Sequence, residues 1–350
     1  MRPKATVVQF IDSLFRGGAQ KVVVDIVEAL PDCNHVVCYW SNENDLRAEL
    51  ERLGVTLVRI PFYGMWSLPY SWIKFYMLIR KYRPEFIHSH MFVPNLLVRM
   101  VPRTGFTTLA TYHGECFEGS GWKASMTRWL ERILLHRTDK LIAVSQYIKE
   151  YLITRLPTSR QIEVVFNFGK TGPNALLTPY LPLRIVATSN NHPYKNYPLL
   201  LSAMQEFKDE PVFLDIYGHG MQSLKDLANK LGLKNVSFKG VVSNLDQFLP
   251  TYNTYVITSN SGEGFSLSLL EAMNSGLPIV CSNLPQFLEA VGSDALIFSK
   301  DSELELVDCI KRLIKDPNLI VRLSGGSKSR AQLFSKTRFT DHIRAIYDRV

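Results

Sequence analysis

The sequence predicts an α/β protein built from two doubly wound, Rossmann-like domains. Short apolar runs rich in β-branched residues alternate with helical periodicity along the whole chain, which is the pattern of βαβ units around a parallel sheet. The alternation is interrupted once, near the middle, by a Gly- and Pro-rich stretch without periodicity. The length of 350 residues suits two domains with substantial cores, and 46% hydrophobic with 21% charged residues describes an ordinary globular protein.

In the first half, strands are expected at residues 6–11, 35–40, 56–60, 86–89, 107–112, 140–144 and 163–166. The interruption, Asn167-Phe-Gly-Lys-Thr-Gly-Pro-Asn-Ala-Leu-Leu-Thr-Pro-Tyr-Leu-Pro182, reads as an interdomain linker, with boundaries at 1–168, 169–183 and 184–335. Strands then follow at 184–188, 212–217, 236–239, 254–259, 279–282 and 295–298. A terminal helix over 336–350 carries Phe339, Ile343, Ile346 and Tyr347 on its apolar face. Two such domains facing each other across a cleft would bind a small molecule there.

Composition narrows the class. Five cysteines, Cys33, Cys38, Cys116, Cys281 and Cys309, are odd in number and form no C-x-x-C pair, so free thiols in a reducing compartment are expected. The apolar run after Met1-Arg-Pro-Lys is too short for a signal peptide, and no run is long enough to span a bilayer; a cytoplasmic protein is expected. The net charge of +8 is uneven: residues 1–170 hold 22 Lys+Arg against 15 Asp+Glu. A basic first half suggests an acidic partner such as a membrane surface or a phosphorylated lipid. No nucleic-acid-binding motif is present.

The densest chemistry lies in Thr258-Ser-Asn-Ser-Gly-Glu-Gly-Phe-Ser-Leu-Ser-Leu-Leu-Glu-Ala-Met-Asn-Ser-Gly-Leu-Pro-Ile-Val280. It reads as the end of a strand, a Gly-bounded loop, a helix and a second strand. In an open parallel sheet that loop lies at the carboxyl ends of the strands, where ligands bind. The amides of Gly264, Phe265 and Ser266 are expected to open the helix as an anion site. Glu263 and Glu271 are eight residues apart, roughly 12 Å along a helix. A glycosidase pair sits about 5–9.5 Å apart across one bond, so the two carboxylates are read instead as touching different parts of one long ligand. Taken singly, Glu271 could be a partly buried helix residue and Glu263 a solvated loop residue.

This segment resembles the signature of the retaining GT-B glycosyltransferases of family 4, which run Glu-Gly-Phe-(Gly/Ser)-x4-Glu-Ala-Met-x2-Gly-x-Pro, here Glu263 to Pro278. The resemblance implies GT-B architecture and transfer of a sugar from a nucleoside diphosphate, of UDP or GDP type, with retained anomeric configuration. In that family the first Glu lies against the donor sugar and the second holds the ribose. The implied donor-binding set is Gly17, Gly18, Asn190, Gly218, Gly264, Phe265, Ser266, Leu267 and Glu271, with Glu263, His113 and Lys195 catalytic. No cofactor and no metal are expected, and no Asp-x-Asp occurs. The terminal helix is expected to cross back to the first domain.

The remaining motifs follow from both readings. Arg16-Gly-Gly-Ala-Gln20 opens a helix after the first strand, where Gly17 and Gly18 would admit a phosphate; it matches the family's Gly-Gly-x-Glu loop with Gln20 in the acidic place. A plain tight turn would look the same. His113 ends a strand in Tyr112-His-Gly114 and matches the family's His-Gly, acting by hydrogen bonding at the reaction centre; a satisfied structural histidine is the alternative. His88-Ser-His90 puts two imidazoles on one strand face, where a metal is conceivable, but no third ligand is spaced nearby and a structural or acceptor-side role is expected. In Ser189-Asn-Asn-His-Pro-Tyr-Lys-Asn196, Lys195 matches the family's diphosphate lysine, while the companion Arg is missing near Asn190. Tyr217-Gly-His-Gly-Met221 partly resembles a dinucleotide fingerprint, but Ser223 stands at its third glycine and no acidic residue ends the next strand, against an oxidoreductase. Asn167 stands where the family has Asn-Gly-x-Asp, in a sequence different enough to be read as peripheral.

Two aromatic and basic helices, 66–83 and 122–137, fit either interfacial helices or ordinary helices packed on a sheet. The function expected is transfer of a hexosyl or N-acetylhexosaminyl group to a glycan acceptor, lipid-linked, in surface polysaccharide or lipopolysaccharide assembly at the inner face of the membrane. A sugar-nucleotide epimerase of related fold and a catalytically silent binding relative are the alternatives.

Overall fold

The computed structural model describes residues 4–103, 105–115, 122–156, 158, 160–176, 181–242 and 244–348. Cys116 and residues 177–180 of the expected linker lie outside the described residues. The chain divides into two compact units, one of Met1–Phe166 with Thr337–Val350 and one of Asn167–Lys336.

In the first unit the strands are β1 (Thr6–Phe10), β2 (Asn34–Tyr39), β3 (Thr56–Arg59), β4 (Phe86–His90), β5 (Thr107–Tyr112), β6 (Lys140–Ala143) and β7 (Ile162–Val164). They form a parallel sheet in the order β3-β2-β1-β4-β5-β6-β7. The second unit holds β8 (Leu183–Thr188), β9 (Val212–Tyr217), β10 (Val236–Gly240), β11 (Thr254–Ile257), β12 (Ile279–Ser282) and β13 (Leu296–Phe298). Their order is β10-β9-β8-β11-β12-β13, again parallel. Each strand expected from the sequence is present within two residues of its expected ends.

The near-continuous apolar strands follow from burial on both faces. Val36 and Cys38 enter one core with Phe75, Leu78 and Ile79 of the helix Leu68–Tyr82. Val37 and Tyr39, of opposite parity, enter a second core with Val23, Val24 and Val27 of the helix Gly18–Ala29. In each unit the strand order reverses once, between β1 and β4 and between β8 and β11, and at such a switch point the loops part to leave room for a ligand.

The glycine- and proline-rich stretch after residue 168 is in its first part a segment of the second unit. Ala175 donates its amide to the Ser275 carbonyl at 2.7 Å, Leu176 to that of Pro250 at 2.9 Å, and Asn274 Nδ2 to that of Gly169 at 2.8 Å. Ser275 ends the helix Leu267–Asn274, so the segment satisfies a carbonyl that a helix C-terminus leaves open. A Cβ on Gly169 would stand 2.4 Å from the Glu271 amide nitrogen, which is why only glycine fits there.

The helix Lys336–Asp348 packs on the first unit's sheet. The Tyr347 ring lies 4.8 Å from that of Phe86, Lys140 Nζ donates to the Ile346 carbonyl at 2.8 Å, and Arg344 Nε to that of Ala29 at 3.0 Å.

A buried ion pair locks the end of β5. Arg99, 2% exposed, pairs with Glu131, 1% exposed, and also donates to Thr138 Oγ1 at 2.7 Å and to the Tyr112 hydroxyl at 3.0 Å. Burial works against the guanidinium charge, but Tyr112 and Glu131 outweigh it and hold Arg99 above its ordinary value. Removing one partner of such a pair strands the other charge in the interior. Glu131→Ala is therefore expected to lower unfolding free energy by about 3–5 kcal/mol, read as a lower urea midpoint at unchanged slope; a midpoint shift equal to that of a surface Glu→Ala change would contradict the assignment.

Candidate active site

The second unit gathers its polar groups where β8, β9 and β11 end. The 3₁₀ turn Pro193–Lys195 follows β8, and the loop 258–266 follows β11. Thr258 Oγ1 donates to the Lys195 carbonyl at 2.8 Å, and Asn260 donates its amide to the Tyr194 carbonyl at 2.8 Å, so the two loops are tied across the switch point. Between them Lys195 Nζ donates to Glu263 Oε1 at 2.5 Å. The same oxygen accepts from Ser259 Oγ at 2.6 Å, and Gln286 Nε2 holds the Glu263 carbonyl at 3.1 Å. Both charged side chains are largely buried. Burial disfavours the Lys195 ammonium, but the Glu263 carboxylate more than compensates and raises its pKa. Glu263 thus has its Oε1 shared by the Lys195 ammonium and the Ser259 hydroxyl, which fixes the carboxylate as an electrostatic partner for positive charge.

Ser259, Gln286 and Asn167 were not picked out from the sequence as site residues. Asn167 is buried, and its Nδ2 donates to the Phe265 carbonyl at 3.1 Å. It lies close under the site rather than at its periphery. Gln286 begins a helix after β12 that carries no signature of its own, and only the fold brings it under Glu263.

The helix of this segment begins later than expected. It spans Leu267–Asn274 with Ser266 as its N-cap, and Ser266 Oγ accepts the Leu269 amide at 3.4 Å. Gly264 and Phe265 therefore precede the helix, and the opening amides without an intrahelical partner are those of Leu267 and Ser268. The Phe265 side chain is buried against Phe334, 5.0 Å between centroids, so only its backbone can face a ligand. Glu271 lies on this helix, partly exposed, one turn on from the N-cap side chain.

Asn190 and Gly218 join two neighbouring loops. Asn190 Oδ1 accepts the His219 amide at 3.0 Å, and the Asn191 amide donates to the His219 carbonyl at 2.9 Å. Gly218 has φ 148°, and a Cβ there would lie 2.0 Å from the Ser189 carbonyl oxygen. The glycine is required by this close approach of two backbones. Ser189, near the expected Arg, donates no charge and lies 2.8 Å from the Tyr197 hydroxyl.

In the first unit Gly17 is the N-cap and Gly18 the first residue of the helix Gly18–Ala29, with no side chain capping it. Gln20, in the acidic place, donates to Asp12 Oδ1 at 3.0 Å and Ser13 Oγ at 3.1 Å and so braces the loop after β1. His113, just past β5, lies with its Nε2 2.9 Å from His90 Nδ1. His90 Nε2 is 2.8 Å from Gln9 Oε1; His88 lies 2.9 Å from the Tyr347 hydroxyl and 2.6 Å from Thr111 Oγ1. The ring nitrogens of His88 and His90 are thus taken up by protein partners. Among the described residues no group of three or more His, Cys, Asp or Glu could hold a metal. Met91, directly after β4, has φ 71° and ψ 166°, a region nearly reserved for glycine that costs about 1–3 kcal/mol to hold. The strain sits at the switch point of this sheet.

Comparison with known proteins agrees with both halves of this arrangement. Residues 16–168 match the model of Glycosyltransferase Family 4, and residues 182–330 that of Glycosyl transferases group 1; between them they take in most of the chain. The chain is a GT-B glycosyltransferase of group 1. Its relatives include a lipopolysaccharide core biosynthesis glycosyltransferase LpsD of Rhizobium meliloti, 30% identical over 56% of this chain and 60% of that one. An uncharacterized glycosyltransferase of Haemophilus influenzae is 24% identical over 94% of this chain and 96% of that one. Among solved structures, Anabaena Alr3699/HepE in complex with UDP and glucose superposes with a TM-score of 0.85 at 18% identity, covering 98% of this chain and 99% of that one, a likeness of fold.

Burial of the glycosyltransferase's histidines has a measurable consequence. Burial pushes His88 and His113 down to about 3 and His90 well below its ordinary value, with the neighbouring histidines adding to the effect at His88 and His90. The unfolded chain binds these protons near pH 6.5 and the folded chain does not, so stability is full above about 6.5 and falls as pH drops toward 3. Each histidine is expected to cost about 1.4 kcal/mol per pH unit in that window. Urea unfolding at pH 7, 6 and 5 checks it; a flat profile would show that the imidazoles are charged or solvated in the fold.

Proposed function

We propose that this glycosyltransferase moves a sugar from a nucleoside diphosphate, of UDP or GDP type, to a glycan acceptor with retention of anomeric configuration. The observation that carries the reading is the Lys195–Glu263 pair, fixed by Ser259 beside the opening amides of the helix Leu267–Asn274. The lysine of the loop after β8 and the amides that open the helix after β11 are the groups that would meet a diphosphate's charge as the bond to the anomeric carbon breaks. The acceptor hydroxyl then bonds to that carbon on the same face, and its proton passes to the departing phosphate oxygen. Glu263, already occupied by Lys195 and Ser259, stabilises the positive charge developing on the sugar and takes no proton. Glu271 holds the ribose hydroxyls. The transferred group is proposed to be hexosyl or N-acetylhexosaminyl, with no metal taking part.

Acceptor chemistry is read from the first unit and from relatives. Relatives include an O-antigen chain mannosyltransferase RfbU of Salmonella typhimurium and a UDP-Gal:alpha-D-GlcNAc-diphosphoundecaprenol alpha-1,3-galactosyltransferase of Escherichia coli, 24% and 26% identical over 56% and 61% of this chain. They support a lipid-linked acceptor in surface polysaccharide assembly. His113 is proposed as the hydrogen-bonding group for the acceptor.

The same unit supports contact with an anionic membrane surface. No helix of the described residues is long and apolar enough to cross a membrane. On the helix Leu68–Tyr82, Phe75, Leu78 and Ile79 turn inward while Tyr70, Ile73 and Met77 are exposed, in line with Trp66 at 78% exposure. The helix Trp122–Leu134 exposes Trp122, Met126, Trp129 and Ile133 at the same helical spacing. Lys74, Arg80 and Lys81 lie on the first of these helices, in the half that carries most of the net positive charge. The opposite face of the first helix packs on the sheet, with Trp72 and Tyr76 partly buried against its core.

Glu263→Ala would leave the buried Lys195 ammonium without its partner, so Glu263→Gln is the cleaner variant. It is expected to lower turnover about 10²–10³-fold while thermal stabilisation by UDP or GDP stays unchanged. Glu271→Gln is expected to weaken that stabilisation by about ten-fold or more in nucleotide concentration. Full activity in the first variant, or no shift with UDP, GDP or ADP in the wild type, would reject the donor site.

Flotation with liposomes containing anionic lipid is expected to carry the protein, and Trp66→Ser with Trp129→Ser to release it. No binding with or without anionic lipid would end the membrane reading.

A further inference from the structure

Three histidines of the first unit, His88, His90 and His113, belong to one hydrogen-bonded chain in which every link has room for a single proton. Gln9, His88 and His90 are fully buried, and Thr111 and Tyr347 nearly so. The order is Thr111, His88, Tyr347, Gln9, His90, His113. Burial keeps all three imidazoles neutral, so each carries one ring proton and has one bare nitrogen. A proton placed at one link therefore dictates the next, and the chain has two consistent directions only.

Tyr347 decides between them. A phenol is a much stronger proton donor than a neutral imidazole N–H, and a bare imidazole nitrogen is a better acceptor than a phenol oxygen. The Tyr347 hydroxyl accordingly donates to His88 Nδ1, 2.9 Å away, and His88 Nε2 donates to Thr111 Oγ1. Having spent its proton, the Tyr347 oxygen accepts from Gln9 Nε2 at 3.3 Å. That turns Gln9 Oε1 toward His90, which donates from Nε2 at 2.8 Å and keeps Nδ1 bare. His113 Nε2 then donates to His90 Nδ1 at 2.9 Å.

We infer that Tyr347, on the terminal helix, acts through Gln9 and His90 to fix His113 as the Nε2–H tautomer, so that His113 meets its ligand with a bare Nδ1, as an acceptor for a substrate hydroxyl. Among the described residues His113 Nδ1 has no hydrogen-bond partner, while His113 itself is partly exposed. Tyr347, Gln9 and His90 are positioning residues: none is asked to touch substrate. The opposite direction would present Nδ1–H, a donor, to the same hydroxyl and reverse the sense of that hydrogen bond. The ligand in question is the acceptor sugar, and in that respect the inference rests on the proposed transferase function.

The test is the ring-nitrogen spectrum of the full-length protein labelled with ¹⁵N-histidine, with His113 assigned by its loss in His113→Asn. Wild type is expected to show a protonated, pyrrole-type Nε2 and a bare, pyridine-type Nδ1 at His113. Tyr347→Phe removes the link that sets direction, and both His113 signals are expected to move toward one another as the tautomers mix. A proton on Nδ1 in the wild type overturns the inference, as does an unchanged His113 spectrum in folded Tyr347→Phe. Should that variant not fold, the wild-type tautomer alone decides. Turnover plays no part in the readout: a wrong tautomer sinks this inference and leaves the transferase reading standing, while the right tautomer in a protein that binds no nucleotide does the reverse.

Discussion

A parallel strand exposes the same end as its neighbours, and that constraint arranges everything chemical in this protein. Because every strand of each sheet runs one way, the loops that follow them gather on a single edge, and the reversal of order between β8 and β11 opens that edge to a ligand. Lys195 comes from the loop after β8 and Glu263 from the loop after β11, 68 residues apart in sequence and 2.5 Å apart in space. In the first unit Gly17, Met91 and His113 follow β1, β4 and β5 in the same way.

Electrostatics completes what topology begins. Lys195 and Glu263 would each be expensive to bury alone, and the carboxylate keeps the Lys195 ammonium charged in a largely dry setting. The cost is specificity of geometry: Ser259 and Gln286 are needed to hold the carboxylate and its loop. The histidine chain of the first unit solves a different problem, burying the His88 and His90 rings without charge by giving both nitrogens of each a partner. One arrangement keeps ions ready for a charged ligand, and the other keeps neutral groups in a defined orientation.

The terminal helix shows how a late segment can matter to an early site. Tyr347 reaches residues 9 and 88, and its hydroxyl is shared between them. Its apolar neighbours Phe339, Ile343 and Ile346 are buried, so hydrophobic packing supplies the stability and the hydroxyl supplies direction.

The sequence by itself determined the strands, the class and the glycine-bounded loop around Glu263, because period-two and period-3.6 patterns and turn residues act over a few neighbours at a time. Glu263, Lys195 and His113 could be singled out because each ends a strand beside glycine or within a recognisable loop. Only the tertiary structure decided which partners they have. Nothing local in Pro285-Gln-Phe marks Gln286 as a support for Glu263, nothing in Asn167-Phe-Gly-Lys shows that Asn167 holds the Phe265 carbonyl, and the helix start at Leu267 depended on the Ser266 cap rather than on the glycines before it. The aromatic stripes at Trp66 and Trp122 have the same spacing whether buried or exposed, so their outward direction was settled by which residues, Phe75 and Leu78 among them, the sheet had room to take. Contacts between residues far apart in the chain leave no periodic trace, and it is those contacts that turn a motif into a site.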